Sequence, residues 1–204
     1  MGNRMKKREP LDLLAQCGAL ITGGHFVYTS GKHGSDYVNK DAIYPHTTVI
    51  SELCELLARK FADAQIETVA APALGGIIMS QWLAHHLTRM RGREVLAVYA
   101  EKDAANGFVI RRGFDKLIRD KNILIVEDVL TTGGSVKKVA DLVASLGGRI
   151  VGVAALCNRG EVSVGEVPTL YSLVNLRLEA WEPSECPLCE KKIPINSKLG
   201  KGKA

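Results

Sequence analysis

Short apolar runs alternate with segments of helical periodicity through the middle of the chain. Thr68–Ala71, Ile123–Val126 and Ile150–Leu156 are mainly apolar, which is typical of strands that are buried on both faces. Between them, apolar residues recur at helical spacing, most clearly in Val49–Phe61 and Ser135–Leu146. This alternation predicts an α/β fold in which a parallel sheet core is flanked by helices. Further predicted elements are a helix at Gly76–His86 and strands at Val95–Tyr99 and Phe108–Ile110.

The two ends of the chain follow a different pattern. Pro10–Cys17 is predicted to be a short helix, and Phe26–Tyr28 and Tyr37–Asn39 to be short strands joined by a glycine-containing turn. Leu170–Trp181 alternates apolar and polar residues, as a half-buried strand does. We therefore expect a small hood formed by both chain ends. The expected parts are an N-terminal hood segment (1–46), a core (47–166), and a C-terminal strand and tail that packs with the hood (167–204).

Composition narrows the class of protein. With 204 residues, 46% of them hydrophobic and 24% charged, the chain is long enough to bury a core and is not of disordered composition. Lys and Arg outnumber Asp and Glu by 27 to 22, but the excess lies at residues 4–8 and 191–203 without interleaved aromatics, which favours solvated tails over nucleic-acid binding. The uncharged stretch Thr68–Thr88 contains a proline and two glycines, so no membrane span is predicted. Few, irregularly spaced cysteines and the lack of an apolar leader favour a cytoplasmic protein.

The segment Ile123–Ser135 carries the most specific chemistry. Its first four residues are apolar, Glu127 and Asp128 follow, and a Thr-Thr-Gly-Gly-Ser sequence then precedes a helix. In a parallel sheet, ligands bind beyond the carboxyl ends of the strands. Two adjacent carboxylates at that position are suited to accepting hydrogen bonds from the two hydroxyls of a vicinal diol.

The turn that follows the two acids has the features of an anion site. Gly133 and Gly134 let the backbone approach a ligand closely, and the N-terminus of the next helix favours negative charge. Hydroxyls of Thr131, Thr132 and Ser135 add donors. The sequence contains neither a Walker loop nor a Gly-x-Gly-x-x-Gly after a strand. A phosphate site beside a diol clamp predicts a ribose 5-phosphate ligand.

The same segment resembles the phosphoribosyl-pyrophosphate (PRPP) signature of type I phosphoribosyltransferases. Within that family, residues 30–40 are similar to the orotate-side hood of the orotate-specific enzymes, and residues 71–77 look like their pyrophosphate loop. Asn158-Arg159 falls where the family has an Asp-Arg pair. The resemblance covers most of the chain and is weakest toward the C-terminus.

The resemblance implies a role for each matching position. Glu127 and Asp128 would hold the ribose hydroxyls, with Asp128 and Lys102 as catalytic residues. Arg159 would pair with the orotate carboxylate, and Tyr37 and Thr131 would also contact orotate. Mg²⁺ would bridge the ribose and the pyrophosphate. The other PRPP contacts would come from Ala73, Leu74, Gly75, Arg111, Arg112, Thr131, Thr132, Gly133, Gly134 and Ser135.

The sequence departs from the family in the cations of a flexible loop. The family usually has an Arg-Lys pair, a further Lys and a His-Gly there, whereas residues 100–107 keep only Lys102. Thr29 and Leu74 also stand where lysines are common. We expect Lys102 and either Arg111 or Arg112 to replace the lost charges. Because the family's loop reaches into the partner subunit's site, the resemblance also implies a homodimer.

The reaction that the resemblance implies belongs to pyrimidine nucleotide biosynthesis. Orotate N1 would attack C1 of PRPP, giving orotidine 5-phosphate and pyrophosphate, and the protein would act by positioning and electrostatic stabilisation. Two alternatives stay open, because the PRPP segment does not specify the acceptor. One is transfer to another base, and the other is a PRPP- or nucleotide-binding regulator without turnover.

A Cys-x-x-Cys sequence, Cys186 to Cys189, lies near the C-terminus. One such pair supplies half of a tetrahedral zinc site, so a partner subunit's pair or a histidine would have to complete a structural site. A redox pair is disfavoured by Pro183 and Pro187, which do not suit a strand–helix thioredoxin context. Two unpaired thiols in a turn are the simpler interpretation.

Overall fold

The computed structural model describes residues 8–28, 30–160, 162 and 167–200. Thr29, the basic residues at 4–7, Lys201, Lys203 and the expected boundary residue 166 therefore lie outside the described part of the chain. Within the described part, no helix combines the length and apolarity that a membrane crossing requires. The chain forms two units, a larger one spanning Thr47–Leu176 and a smaller one made from the residues on either side of it.

The N-terminal part of the smaller unit consists of short elements. They are α1 (Pro10–Gln16), β1 (Leu20–Ile21), β2 (Phe26–Val27), β3 (His33–Gly34) and β4 (Tyr37–Val38). β2 pairs antiparallel with β3, and β1 with β4. The predicted strands at 26–28 and 37–39 thus exist, but part of the turn that was predicted to join them forms a further strand, β3. The chain reverses earlier, at Gly31, whose φ of +87° suits glycine.

The larger unit is an α/β layer structure. Its elements are α2 (Thr47–Lys60), β5 (Thr68–Pro72), α3 (Gly75–Arg91), β6 (Leu96–Lys102), β7 (Phe108–Val109), β8 (Asn122–Leu130), α4 (Gly134–Ser145), β9 (Arg149–Asn158) and β10 (Leu170–Asn175). Six strands form one sheet in the order β10–β9–β8–β5–β6–β7, and every neighbouring pair is parallel except β6 with β7. The predicted parallel core flanked by helices is confirmed.

Strand alternation divides the core between the two faces of the sheet. Ile123 and Ile125 of β8 and Ala70 of β5 pack in one apolar cluster with Val139 of α4. Ala71, one residue further along β5, faces α3 instead. α2 and α3 pack against each other and against the sheet. Successive side chains of a strand point to opposite faces, so apolar residues at every position of β5 and β8 are covered by helices.

Strands β8 and β10 differ from the sequence-based prediction in ways that affect the site and the boundary between the units. β8 continues through Glu127 and Asp128 to Leu130, because it pairs with β9 as far as Asn158. β10 is an edge strand of the large sheet and pairs in parallel with β9. The boundary between the units therefore follows Leu176 rather than residue 166.

Candidate functional site

A pocket opens at the carboxyl end of β8, where the strand passes into α4. It is lined by Glu127 and by residues 129–136, and it has a cavity volume of about 60 Å³. The pocket therefore brings together one of the two predicted acids and the whole predicted Thr131–Ser135 turn. This is the edge of a parallel sheet at which ligands bind.

The turn is shaped by glycine at its tightest point. Gly133 has φ +74° and ψ −1°, a left-handed conformation that side chains other than glycine rarely adopt. α4 begins at the next residue, and the first N–H groups of a helix have no partner within the helix. Because these residues line the pocket, their N–H groups and the hydroxyls of Thr131, Thr132 and Ser135 provide an anion-binding environment.

The two adjacent acids occupy different positions. Both carboxylates are buried, with Glu127 9% exposed and Asp128 2% exposed. Alternation along β8 puts Glu127 on the face of Ile125, the face that α4 covers, and Asp128 on the face of Val126. Asp128 does not line the pocket, and its Oδ1 accepts a hydrogen bond of 2.7 Å from the N–H of Val129. The sequence-based picture of two side-by-side carboxylates therefore becomes one carboxylate on each face of the strand.

The predicted pyrophosphate loop joins β5 to α3 at the same edge of the sheet. The N–H of Ala73 donates to the carbonyl of Ala100, 2.8 Å away, and the peptide bond between Ala73 and Leu74 is cis. The Leu74 side chain is 82% exposed. A Cβ at Gly76 would lie 2.8 Å from the Cβ of Ala71, so glycine is needed where α3 passes β5. Because β5 and β8 are parallel neighbours, this loop and the pocket follow adjacent strand ends.

The segment expected to be a flexible loop is a tight hairpin between β6 and β7. Lys102 is paired with Phe108 at its base. Oδ1 of Asp103 accepts hydrogen bonds from the N–H groups of Ala105, at 2.9 Å, and Gly107, at 2.7 Å. Nζ of Lys138 on α4 donates to the carbonyl of Asn106 at the hairpin tip, 2.7 Å away.

The three predicted cations surround this hairpin. Lys102 and Arg111 are exposed, and the Arg112 guanidinium forms an exposed ion pair with Glu101 at 3.1 Å. The Glu101 hydrogen bond raises the pKa of Arg112. None of the three predicted cations lines the pocket at β8. Their assignment to PRPP stays a prediction.

Arg159 leaves the end of β9 beside the pocket. Its N–H donates to the carbonyl of Leu130 at 2.8 Å. Asn158, which is buried, accepts hydrogen bonds from the N–H groups of Gly160 and Val162 at 3.3 and 3.2 Å and thereby shapes the chain after Arg159. In the sequence, Asn158 falls where the family has Asp, and Asn two residues before Gly is typical of such a side-chain turn. Tyr37 lies in the smaller unit, where its ring stacks on Phe26 at 5.3 Å.

Comparison with protein families and solved structures identifies what this chain resembles. Residues 39–176 match the family described as phosphoribosyl transferase domain. Orotate phosphoribosyltransferase of Thermoanaerobacter sp. (strain X514) is 40% identical over 192 residues, which cover 94% of this chain and 96% of that protein. The enzyme of the same description from Caldicellulosiruptor saccharolyticus is 37% identical over 192 residues, or 94% and 95% of the two chains.

Solved structures share the fold. Orotate phosphoribosyltransferase of Mycobacterium tuberculosis H37Rv, in complex with Fe(III) dicitrate, superposes with a TM-score of 0.65 at 22% identity, covering 83% of this chain and 97% of that one. Adenine phosphoribosyltransferase from Thermoanaerobacter pseudethanolicus superposes with a TM-score of 0.57 at 20% identity, covering 70% and 90%. At these identities the likeness concerns the fold, which is common to relatives named for different bases.

Proposed function

This chain belongs to the orotate phosphoribosyltransferases within the phosphoribosyl transferase family, and we propose that its β8 pocket transfers ribose 5-phosphate from PRPP to orotate. The bond between C1 and orotate N1 forms while the bond from C1 to the pyrophosphate oxygen breaks, and N1 loses its proton. The products are orotidine 5-phosphate and pyrophosphate. The observation that carries the proposal is that Glu127 and the Thr131–Ser135 turn line one pocket, which supplies a carboxylate for sugar hydroxyls beside a cradle for a phosphate.

The 5-phosphate is assigned to the turn. Backbone N–H groups at the start of α4 and the hydroxyls of Thr131, Thr132 and Ser135 donate to its oxygens. Glu127 lies two residues before the pocket-lining segment 129–136, and we assign its carboxylate to the ribose hydroxyls of the same ligand. The ligand is thereby held at both ends of the sugar, which fixes C1 for attack.

Asp128 is assigned to the opposite side of the same sugar. Its carboxylate lies on the face of β8 that faces away from α4, and the loop of Ala73, Leu74 and Gly75 follows the neighbouring strand β5. We assign backbone groups of that loop to the pyrophosphate. Mg²⁺ prefers oxygen ligands. The carboxylates of Glu127 and Asp128 and the phosphates of PRPP would provide such ligands. When bound, Mg²⁺ would neutralise the charge that grows on the leaving pyrophosphate.

Arg159 is assigned to the carboxylate of orotate. A guanidinium can form two parallel hydrogen bonds with a carboxylate, and the backbone of Arg159 is fixed beside Leu130 of the pocket. Thr131 lies at the same end of β8. The assignment of Tyr37 to orotate rests on the family resemblance of residues 30–40.

We also propose that the chain acts as a homodimer in the cytoplasm. The dimer rests on the resemblance of residues 100–107 to a loop that reaches a partner's site, and light scattering of the protein in solution tests it. A monomeric mass at working concentrations would contradict it. The compartment is supported by the cysteines, all five of which are free thiols, since disulfides persist mainly in oxidising compartments.

The decisive experiment supplies PRPP, Mg²⁺ and a panel of orotate, uracil, adenine and hypoxanthine, and measures base consumption together with pyrophosphate release. Orotate consumption with equal pyrophosphate release is expected. Consumption of a different base would identify another acceptor. Tight PRPP binding in calorimetry without pyrophosphate release would instead identify a regulator.

Variants then test the site that carries the proposal. Hydrogen bonds to a charged group are worth about 1.5–3 kcal/mol, so Glu127→Gln should lower kcat/KM for PRPP by roughly 10- to 150-fold. Glu94→Gln, which changes an exposed glutamate outside the pocket, is the matched control and should match wild type. Equal turnover in Glu127→Gln and wild type would refute the assigned pocket.

Arg159→Lys should raise the KM for orotate about tenfold and leave the KM for PRPP unchanged.

A further inference from the structure

Two histidines and two cysteines of the smaller unit converge on one point. His25, His33, Cys186 and Cys189 each offer one ligand atom, and these four atoms all lie within 4.8 Å of one another. The histidines come from the β2–β3 region, and the cysteines come from α5 (Pro187–Glu190) and the residue before it. Three of the four are buried, Cys189 is exposed, and both cysteines are free thiols.

Three of the four separations given below match a tetrahedral shell, and the distance between the two nitrogens is shorter. Nε2 of His25 lies 3.7 Å from Sγ of Cys186 and 3.8 Å from Sγ of Cys189. Nδ1 of His33 lies 3.3 Å from Sγ of Cys189 and 2.9 Å from Nε2 of His25. Around a tetrahedral Zn²⁺, with bonds of about 2.3 Å to sulfur and about 2.0 Å to nitrogen, ligand atoms lie roughly 3.3–3.8 Å apart.

The surroundings fix the orientation of the ligands. Nδ1 of His25 donates a hydrogen bond to the carbonyl of Ile193 at 2.7 Å, so Nε2 carries the lone pair that points into the group. Such a bond from the second ring nitrogen is what metal-bound histidines usually make. The N–H and the carbonyl of His33 both pair with Trp181 at 2.8 Å. Cys186 and Cys189 are three residues apart across the start of α5, which places them on one side of that turn.

We propose that these four residues bind one Zn²⁺ as a structural site. Thiolate and imidazole ligands in tetrahedral arrangement select zinc over magnesium or calcium, which prefer oxygen. Four protein ligands fill the shell, so no position stays open for a substrate, and the site is structural rather than catalytic. Because His25 and His33 of the same chain complete the set, a partner subunit's cysteines are not needed.

The site explains how a small unit with a thin core is held together. Its strands β1–β4 have two residues each, and His25 and Cys186 are 161 positions apart in sequence. Small units with little apolar burial are commonly stabilised by a metal or by disulfides. The ion therefore joins the N-terminal hairpin β2–β3 to the C-terminal segment that carries α5.

Metal analysis of the full-length protein tests the proposal. The protein is purified under reducing conditions without chelators or nickel resin, and its metal content is measured by plasma mass spectrometry. One zinc per chain is expected, together with stoichiometric release when a mercurial reagent blocks the thiols. After exchange for Co²⁺, thiolate-to-cobalt charge transfer and intense visible bands of tetrahedral cobalt are expected. Protein that contains no zinc and takes up neither metal when reduced would overturn the proposal.

Variants locate the metal. The double variant Cys186→Ser/Cys189→Ser should lose the zinc completely, whereas Cys17→Ser, which changes another free thiol of the same unit, should keep one per chain. His33→Gln should lose the tetrahedral cobalt spectrum, and His46→Gln, at an exposed histidine of this unit, should retain it. Zinc retained by the double cysteine variant would overturn the assignment. These readouts are independent of phosphoribosyl transfer, so they distinguish failure of the zinc site from failure of the proposed reaction.

Discussion

Glu127 and Asp128 show how one strand gives two adjacent acids different surroundings. In a loop, both side chains could have turned toward the same side of a ligand. Because β8 continues to Leu130, the two side chains point to opposite faces of the sheet. Glu127 therefore shares the pocket with the phosphate turn, while Asp128 faces away from α4. In the proposed complex, a sugar that lies across the end of β8 would be contacted from both sides, with one carboxylate for each of two hydroxyls.

His86 provides a residue-scale prediction about pH. Its Nε2 lies 3.0 Å from Oγ of Ser51, between α3 and α2, and burial lowers the pKa of His86 below its ordinary value. The unfolded chain therefore takes up a proton at higher pH than the folded one, so the contribution of His86 to stability is complete above about pH 6.5 and is lost as the pH falls below it. Urea unfolding at a series of pH values should show this loss. His86→Gln should weaken the dependence of the free energy of unfolding on pH, whereas His46→Gln should retain the part of that dependence that comes from His86. Parallel curves for wild type and His86→Gln would contradict the assignment.

At the scale of elements, the hairpin between β6 and β7 is the main departure from the expected loop. Asp103 closes the turn through two N–H groups, and a Cβ at Gly107 would lie 2.6 Å from Oδ2 of Asp103, so this short turn depends on the pair. Arg112 is held by Glu101 in an exposed ion pair, which solvent screens, so the guanidinium can leave it readily. The replacement of lost loop cations by Lys102 and an arginine is thus compatible with the hairpin, provided that these side chains reach the pyrophosphate in the working enzyme.

Substitution of Lys102 tests that replacement. Loss of a preorganised charge that contacts the transition state costs roughly 10²–10³ in rate, so Lys102→Ala should lower kcat by about that factor and change the KM for PRPP less. Lys116→Ala, at an exposed lysine outside β6 and β7, is the matched control and should turn over like wild type. Steady-state kinetics with saturating orotate gives both parameters. Turnover of Lys102→Ala within a few-fold of wild type would remove Lys102 from the proposed catalytic groups.

At the scale of the whole molecule, the two units differ in how far their structure could be predicted from sequence. The sheet was predictable because buried strands such as Ile123–Val126 are long apolar runs between helices of clear periodicity. The strands of the smaller unit have two residues each, too few for a periodic pattern, so the pairing of β2 with β3 could not be read from them. The partners of Cys186 and Cys189 were equally hidden, because His25 and His33 are brought to them only by the fold.

Hydrogen exchange should show that the two units also differ in local stability. β8 has a parallel neighbour on each side and fully buried apolar residues, so its amides should exchange only through global unfolding. The two-residue pairings of β1 with β4 and of β2 with β3 should open locally and exchange faster. If the proposed zinc is bound, its removal with a zinc-selective chelator should further speed exchange in residues 25–28, 30–34 and 186–193. Mass spectrometry of peptic fragments, with and without chelator, measures both effects. The same chelator on Cys186→Ser/Cys189→Ser is the control and should change nothing. Exchange in β8 that accelerates as much as in residues 25–28 and 30–34 would mean that the metal stabilises the whole chain rather than the segments that bind it.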